Sequence, residues 1–174
     1  MDFRTTFFDL QGRMAPRPFA QAYILLTGVM VPVLVASAVV HPQANMLQYT
    51  LVFPYLCVFG KRLHDAGQTA WLWLVFLTGW LIVNAVAGGV LLRVLAPEAV
   101  PLSTEIINAV LAQPPGDQAE MAAKVAEFAR LSALPNLAAY LIASALTGYV
   151  AYSLKSDPDT NRFGPPPNRA ATFD

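Results

Sequence analysis

Lys61 to Trp71 reads KRLHDAGQTAW: two cations, a histidine and an acid within five positions, then a glycine and an indole. On either side, from Gln43 to Gly60 and from Thr69 to Leu92, there is no Lys, Arg, Asp or Glu. Charge gathered between two apolar runs is the pattern of a chain that leaves one hydrophobic environment and turns back into it. Gly67 is placed to end the first run in the left-handed conformation, and Thr69 to cap the second. Lys61 and Arg62 stand four and three residues before Asp65, within pairing reach on a helix. They also lie where cations complement a helix C-terminus. Trp71 and Trp73 follow at the depth where indoles favour a lipid–water boundary. The stretch therefore predicts a tight helical hairpin at a membrane surface.

Composition agrees. The chain has 174 residues, 56% hydrophobic and 13% charged, with a mean hydropathy of +0.48, more apolar than soluble domains usually are. Basic and acidic residues balance at 11 each, which gives no reason to expect nucleic acid. Cys57 is the single cysteine, so no internal disulfide is possible, and with two histidines it makes a poor zinc set. No metal and no cofactor are expected.

Working outward, Phe19 to Val40 is uncharged over a length that crosses about 30 Å of hydrocarbon. The second apolar run, Met46 to Phe59, is short. Extended over 43–65, with Lys61 and Arg62 snorkelling, it reads as spanning. Segments 69–92 and 134–154 complete an all-α, integral-membrane four-helix bundle. A signal-peptide reading that ends at Ala36, Ser37 and Ala38 is set aside, because its polar leader and apolar run are both too long. Basic residues fix the orientation. Arg4, Arg13, Arg17, Lys61, Arg62, Lys155, Arg162 and Arg169 fall on one side, and Arg93, Lys124 and Arg130 on the other. The first side is therefore cytoplasmic, N-in and C-in.

Outside the spans, residues 1–18 form a leader in which Phe3, Phe7, Leu10 and Met14 recur at helical spacing, as an interfacial helix or a loosely ordered strip. Residues 93–133 suit a periplasmic helical loop between the third and fourth spans. Ser103 or Thr104 would cap one helix carrying Ile106, Ile107, Val110 and Leu111. Pro114, Pro115 and Gly116 would break the chain, and Asp117 would start a second helix with a Met121, Val125 and Phe128 stripe. Residues 155–174 read as a solvated Pro-rich tail, with a docked polyproline II strand as the sharper alternative.

The residues Lys61, Arg62, Leu63, His64, Asp65, Thr69 and Trp71 resemble the hallmark of the bacterial domain-of-unknown-function 805 family, small inner-membrane proteins. The family's second signature, before the first span, is matched by Gly12, Arg13, Arg17 and Phe19. Pro16 stands where a second arginine is usual, and Ala20 where an aromatic is usual. Ala70 and Leu72 replace a small and an aromatic residue in the hairpin. The resemblance covers roughly Phe8 to Trp80 and implies a multi-pass protein of the bacterial inner membrane.

Both motifs fall on one membrane face. Asp65 is therefore expected to accept charge-assisted hydrogen bonds from Arg13 or Arg17, and leftover positive charge to meet anionic phospholipid or a partner's acidic loop. The expected contact set is Arg13, Arg17, Lys61, Arg62, His64, Asp65 and Trp71. No ionisable group lies at mid-membrane depth, where a pump would need one. Asn84, beside Ala85, Gly88 and Gly89, is expected to make an interhelical hydrogen bond. No nucleophile elbow, phosphate loop or paired His-Glu zinc motif is present, and His64 is the sole candidate acid or base. The expected role is non-catalytic: an accessory or assembly subunit that contacts the lipid bilayer and other membrane-protein subunits. The alternative is a small transporter, channel or lipid-handling protein acting alone or as a homo-oligomer.

Overall fold

The computed structural model describes residues 2–112 and 118–167. Among these the chain is all helical, with no strand. The elements are α1 (Phe3–Phe8), α2 (Pro16–Val39), a 3-10 segment (Pro42–Leu51) that runs into α3 (Val52–Asp65), a 3-10 turn (Ala70–Leu72) that opens α4 (Trp73–Leu95), then α5 (Ala99–Leu111), α6 (Gln118–Leu131) and α7 (Ala133–Ser153). The expected break at Pro114, Pro115 and Gly116 and the helix start at Asp117 lie outside the described residues, as does the tail end, 168–174.

Three helical stretches are long and apolar enough to cross a membrane: Pro16–Val39, Ala70–Leu95 and Ala133–Ser153, with mean hydropathies of 2.2, 2.0 and 1.3. α2 starts at Pro16, where a missing N–H costs nothing. α7 lies between α2 and α4 and packs on both. It presents Ala139, Ala143 and Gly148, all buried. At Gly148 a Cβ would run into the ring of Tyr23, so only glycine allows α2 this close.

The stretch expected as the second span has a mixed build. Its first ten residues are 3-10 helix and only the next fourteen are α-helix. Pro54 explains the boundary: it cannot donate to Thr50, so it suits the first turn of α3 and no later position. The Thr50 hydroxyl donates to the Leu47 carbonyl at 2.7 Å, a local bond that competes with regular helix.

The leader is a short helix rather than a continuous amphipathic one. α1 covers six residues, capped by Asp2, and the chain is extended by Asp9. Phe7 and Met14 are buried, while Phe3 and Leu10 are exposed. Met14 N–H donates to Lys61 O at 3.0 Å, which lays the leader across α3. α5 begins at Ala99, so Ser103 and Thr104 lie inside it and turn their hydroxyls back to Val100 O instead of capping. Its Ile107, Val110 and Leu111 stay exposed. Met121, Val125 and Phe128 of α6 are half-buried, and Lys124 pairs with Glu120 within α6 and with Glu105 across to α5.

Candidate functional site

The hairpin forms as its chemistry requires. Gly67 has φ +72°. Gln68 N–H donates to Leu63 O at 2.8 Å and Gly67 N–H to His64 O at 3.0 Å, the paired bonds that close a helix on a left-handed residue. Gly60 faces Ala70 across the hairpin, and a Cβ there would sit 3.4 Å from the Ala70 Cβ, in van der Waals contact. Thr69 does not cap: its side chain makes no such bond, and its carbonyl accepts from Leu72 instead.

Leader, hairpin and tail meet at this end of the bundle. Asp65, 1% exposed, lies between two guanidinium groups. Arg13 Nη2 donates to Asp65 Oδ1 at 3.1 Å and Arg62 Nη1 to Oδ2 at 2.8 Å. Two buried cations for one anion leaves a surplus of charge, and main-chain carbonyls absorb it. Arg62 Nε donates to Ala151 O at 3.1 Å, and Nη2 to Tyr152 O at 3.1 Å and to Leu154 O. These lie at the C-terminal end of α7, where carbonyls lack helical partners and carry the negative end of the dipole. Arg13 Nη1 reaches Asp159 O at 2.7 Å and Gly164 O at 3.3 Å, and Nη2 also reaches Asp157 O. Lys61 does not pair with Asp65. Its Nζ donates to Thr5 O and to Thr6 O (2.8 Å), the unpaired carbonyls of α1.

His64 Nδ1 lies 3.0 Å from Gly12 O, an acceptor only, so Nδ1 carries a proton. The ring stacks on Phe163 with centroids 3.8 Å apart and planes at 8°. The guanidinium of Arg162 covers the other aromatic partner, 4.7 Å from the Phe163 centroid. From Ser156 to Gly164 the tail is therefore docked rather than solvated. Asp157 N–H donates to Asp65 O at 2.7 Å, Asn161 Nδ2 donates to His64 O at 3.1 Å, and Asn161 and Gly164 close a turn. The Asn161 amide, with the Asp159 N–H, holds the Asp157 carboxyl below the usual carboxylate range.

Of the expected contact set, Arg13, Lys61, Arg62, His64 and Asp65 come together as a buried clamp. Arg17 does not join it. It is exposed and lines an open cavity of about 680 Å³ with Lys155, Ser156 and Tyr152. Trp71 also stands apart, 80% exposed. The clamp's guanidinium donors are thus occupied by carboxylate and carbonyls, whereas Arg17 and Lys155 remain exposed. Sequence reasoning missed Ser156, Asn161 and Phe163. A Phe and an Asn in a proline-rich segment were the available signal.

Among the described residues, no group of three or more His, Cys, Asp or Glu side chains is arranged to hold a metal ion. Above the clamp, Phe19, Tyr23, Phe59 and Phe76 pack ring on ring at 5.3 to 5.7 Å. Asn84 does not make the expected interhelical bond. Trp80 Nε1 makes it instead, donating to Ser144 Oγ at 3.2 Å between α4 and α7.

Fold and site together define a class: an all-helical chain with three apolar helices compatible with a multi-pass membrane protein, closed at one end by a buried ionic clamp. No family model, curated protein or solved structure matches it.

Proposed function

We propose that this chain is a non-catalytic, four-span protein of the bacterial inner membrane, related to the domain-of-unknown-function 805 family, with both termini cytoplasmic and α5 and α6 periplasmic. It acts as an accessory or assembly subunit of a larger membrane complex. The observation that carries the reading is α4: 26 helical residues of mean hydropathy 2.0, counted from Ala70, with none of the apolar window buried within the fold. A helix apolar all round needs a hydrophobic surrounding, lipid or another subunit. The 3-10 segment and α3 together make the remaining span, whose inner third is protein-enclosed.

In this reading the clamp is a fastener that joins leader, hairpin and tail, and Arg17 with Lys155 offers the contact for anionic headgroups. Arginine supplies a planar fork for phosphate, and juxtamembrane cations are favoured near an anionic leaflet. A lipid-handling role is the second reading, favoured by the two adjoining cavities described below.

Purification in mild detergent tests the first reading. Stoichiometric foreign subunits support it, and recovery of the chain only with itself favours the second. Topology is tested separately with Gln68→Cys, which should react with an impermeant thiol reagent only from the cytoplasmic side, Cys57 being buried. Labelling from outside would overturn the orientation.

A further inference from the structure

Two cavities adjoin along α4, one in the half of the bundle away from the clamp and one running from there towards it, and they differ in chemistry. The outer one, about 340 Å³, lies between α2, the 3-10 segment, α4, α6 and α7. Its polar lining is Ser37, Asn45, Gln48, Asn84, Ser132 and Asn136, with no Asp, Glu, Lys, Arg or His. Part of that polarity is unspent. Asn45 Oδ1 is buried without a hydrogen-bond partner, and among the described residues the amides of Asn84 and Gln48 have none either. A buried acceptor left unpaired costs about 1–3 kcal/mol, so its retention calls for a ligand or water. The inner cavity, about 450 Å³, is walled by aromatic and aliphatic side chains, among them Phe59, Trp73, Phe76 and Leu77. The two share Met30, Gln48, Trp80 and Tyr140, so they are neighbours with only these side chains between them. Between Trp80 and Trp73 the apolar part runs about 10 Å along α4.

We propose that this pair is one binding site for a single-chain lipid with an uncharged, hydroxyl-bearing head, the monoacylglycerol class. The head would meet Asn45, Gln48 and Asn84. The chain would lie along Trp80, Phe76 and Trp73, with its remainder leaving between α3 and α4. The lining selects against charge: a phosphate in the outer cavity would find no cation and would lose its hydration. Carboxamides both donate and accept, as a glycerol head does. Each cavity is within the range of about 300–1,000 Å³ typical of ligand sites. The site is separate from the Arg17 and Lys155 surface and takes the opposite class of head.

The test uses the full chain with Trp71→Phe, which leaves indoles only at Trp73 and Trp80, both in the groove. Purified in mild detergent, it is titrated with a monoglyceride brominated in mid-chain, since bromine quenches indole fluorescence on contact. Saturable quenching is expected. The same chain carrying a phosphate head should bind at least about tenfold more weakly, and Asn45→Leu should weaken the glycerol-headed lipid about tenfold without changing the phosphate-headed one. Quenching that rises linearly with lipid, or equals that of the phosphate form, would reveal mere contact with the micelle and overturn the proposal. So would tighter binding of the phosphate form. If Asn45→Leu does not fold, the head-group comparison on the unmodified cavity decides alone. Wrong-sided labelling at residue 68 would sink the topology and leave this measurement standing.

Discussion

The two ends of the bundle use polar groups in opposite ways. At the clamp end, Arg62 is fully buried and Asp65 nearly so, yet every guanidinium nitrogen of Arg13 and Arg62 donates to a partner. At the far end nothing in the cavity is charged, while Asn45 keeps a buried oxygen unpaired and Ile107, Val110 and Leu111 lie exposed. Completed polar networks rigidify, and incomplete ones mark places where something else binds or moves. One end is closed, and the other is open to a ligand or partner.

The largest predicted effect breaks the closed end. Asp65→Asn removes the only carboxylate between two buried guanidiniums and should cost about 3–5 kcal/mol, read as loss of the monodisperse peak on heating in detergent. Lys61→Met keeps the stem and loses only two carbonyl contacts, so it should cost less. If Asp65→Asn melts with the parent, the clamp does not hold the fold. Next comes Gly148→Ala, which forces Tyr23 out of its rotamer and should cost about 1–3 kcal/mol by overpacking. Its readout is the same melt, together with loss of the Tyr23 hydroxyl bond to Ser144 O, 2.9 Å in the parent. At the far end Asn84→Leu should be neutral or stabilising without ligand, because it deletes an amide with no partner. A destabilisation comparable to Gly148→Ala would mean that the open end is structurally closed after all.

How much of this was legible follows from what each interaction needs. The apolar helices were readable because length and the lack of charge are linear properties. The stop at Gly67 was readable because a left-handed turn has a residue preference. Arg13 and Asp65 could be put together because opposite charges on one membrane face have few other partners. What was hidden depends on acceptors that carry no sequence signature. Spacing puts Lys61 within reach of Asp65, but the carbonyls of Thr5 and Thr6 hold it instead. Arg62 closes the end of α7 through three carbonyls, and any sequence would present those. Tail docking was hidden for the same reason: a proline-rich stretch cannot build a core of its own, yet here it borrows one face of His64. The 3-10 start of the second apolar run follows from Pro54, whose effect on the preceding turn is visible only when the helix register is known.

The mildest test asks whether the tail belongs to the closed end or merely rests on it. Phe163→Ala removes the stack on His64 and should cost about 1 kcal/mol, read as faster hydrogen exchange at 155–167 with little change in the melt. Acid gives a finer version. The Asp157 carboxyl titrates below its ordinary value, first because of the Asn161 amide and then because of the Asp159 N–H. A depressed acid stabilises the docked state above the ordinary carboxylate value, and that contribution fades as pH falls through the lowered one. The Asn161 side-chain amide signals should therefore hold their docked shifts down to the ordinary Asp range and move to free values only below it. The carboxyl lies at the surface of the half-buried Asp157, so the effect on the whole fold should be small. Free Asn161 shifts already at neutral pH would show that the Asp157 carboxyl does not hold this turn, and would leave the tail to its contacts with Arg13, Asp65 and His64.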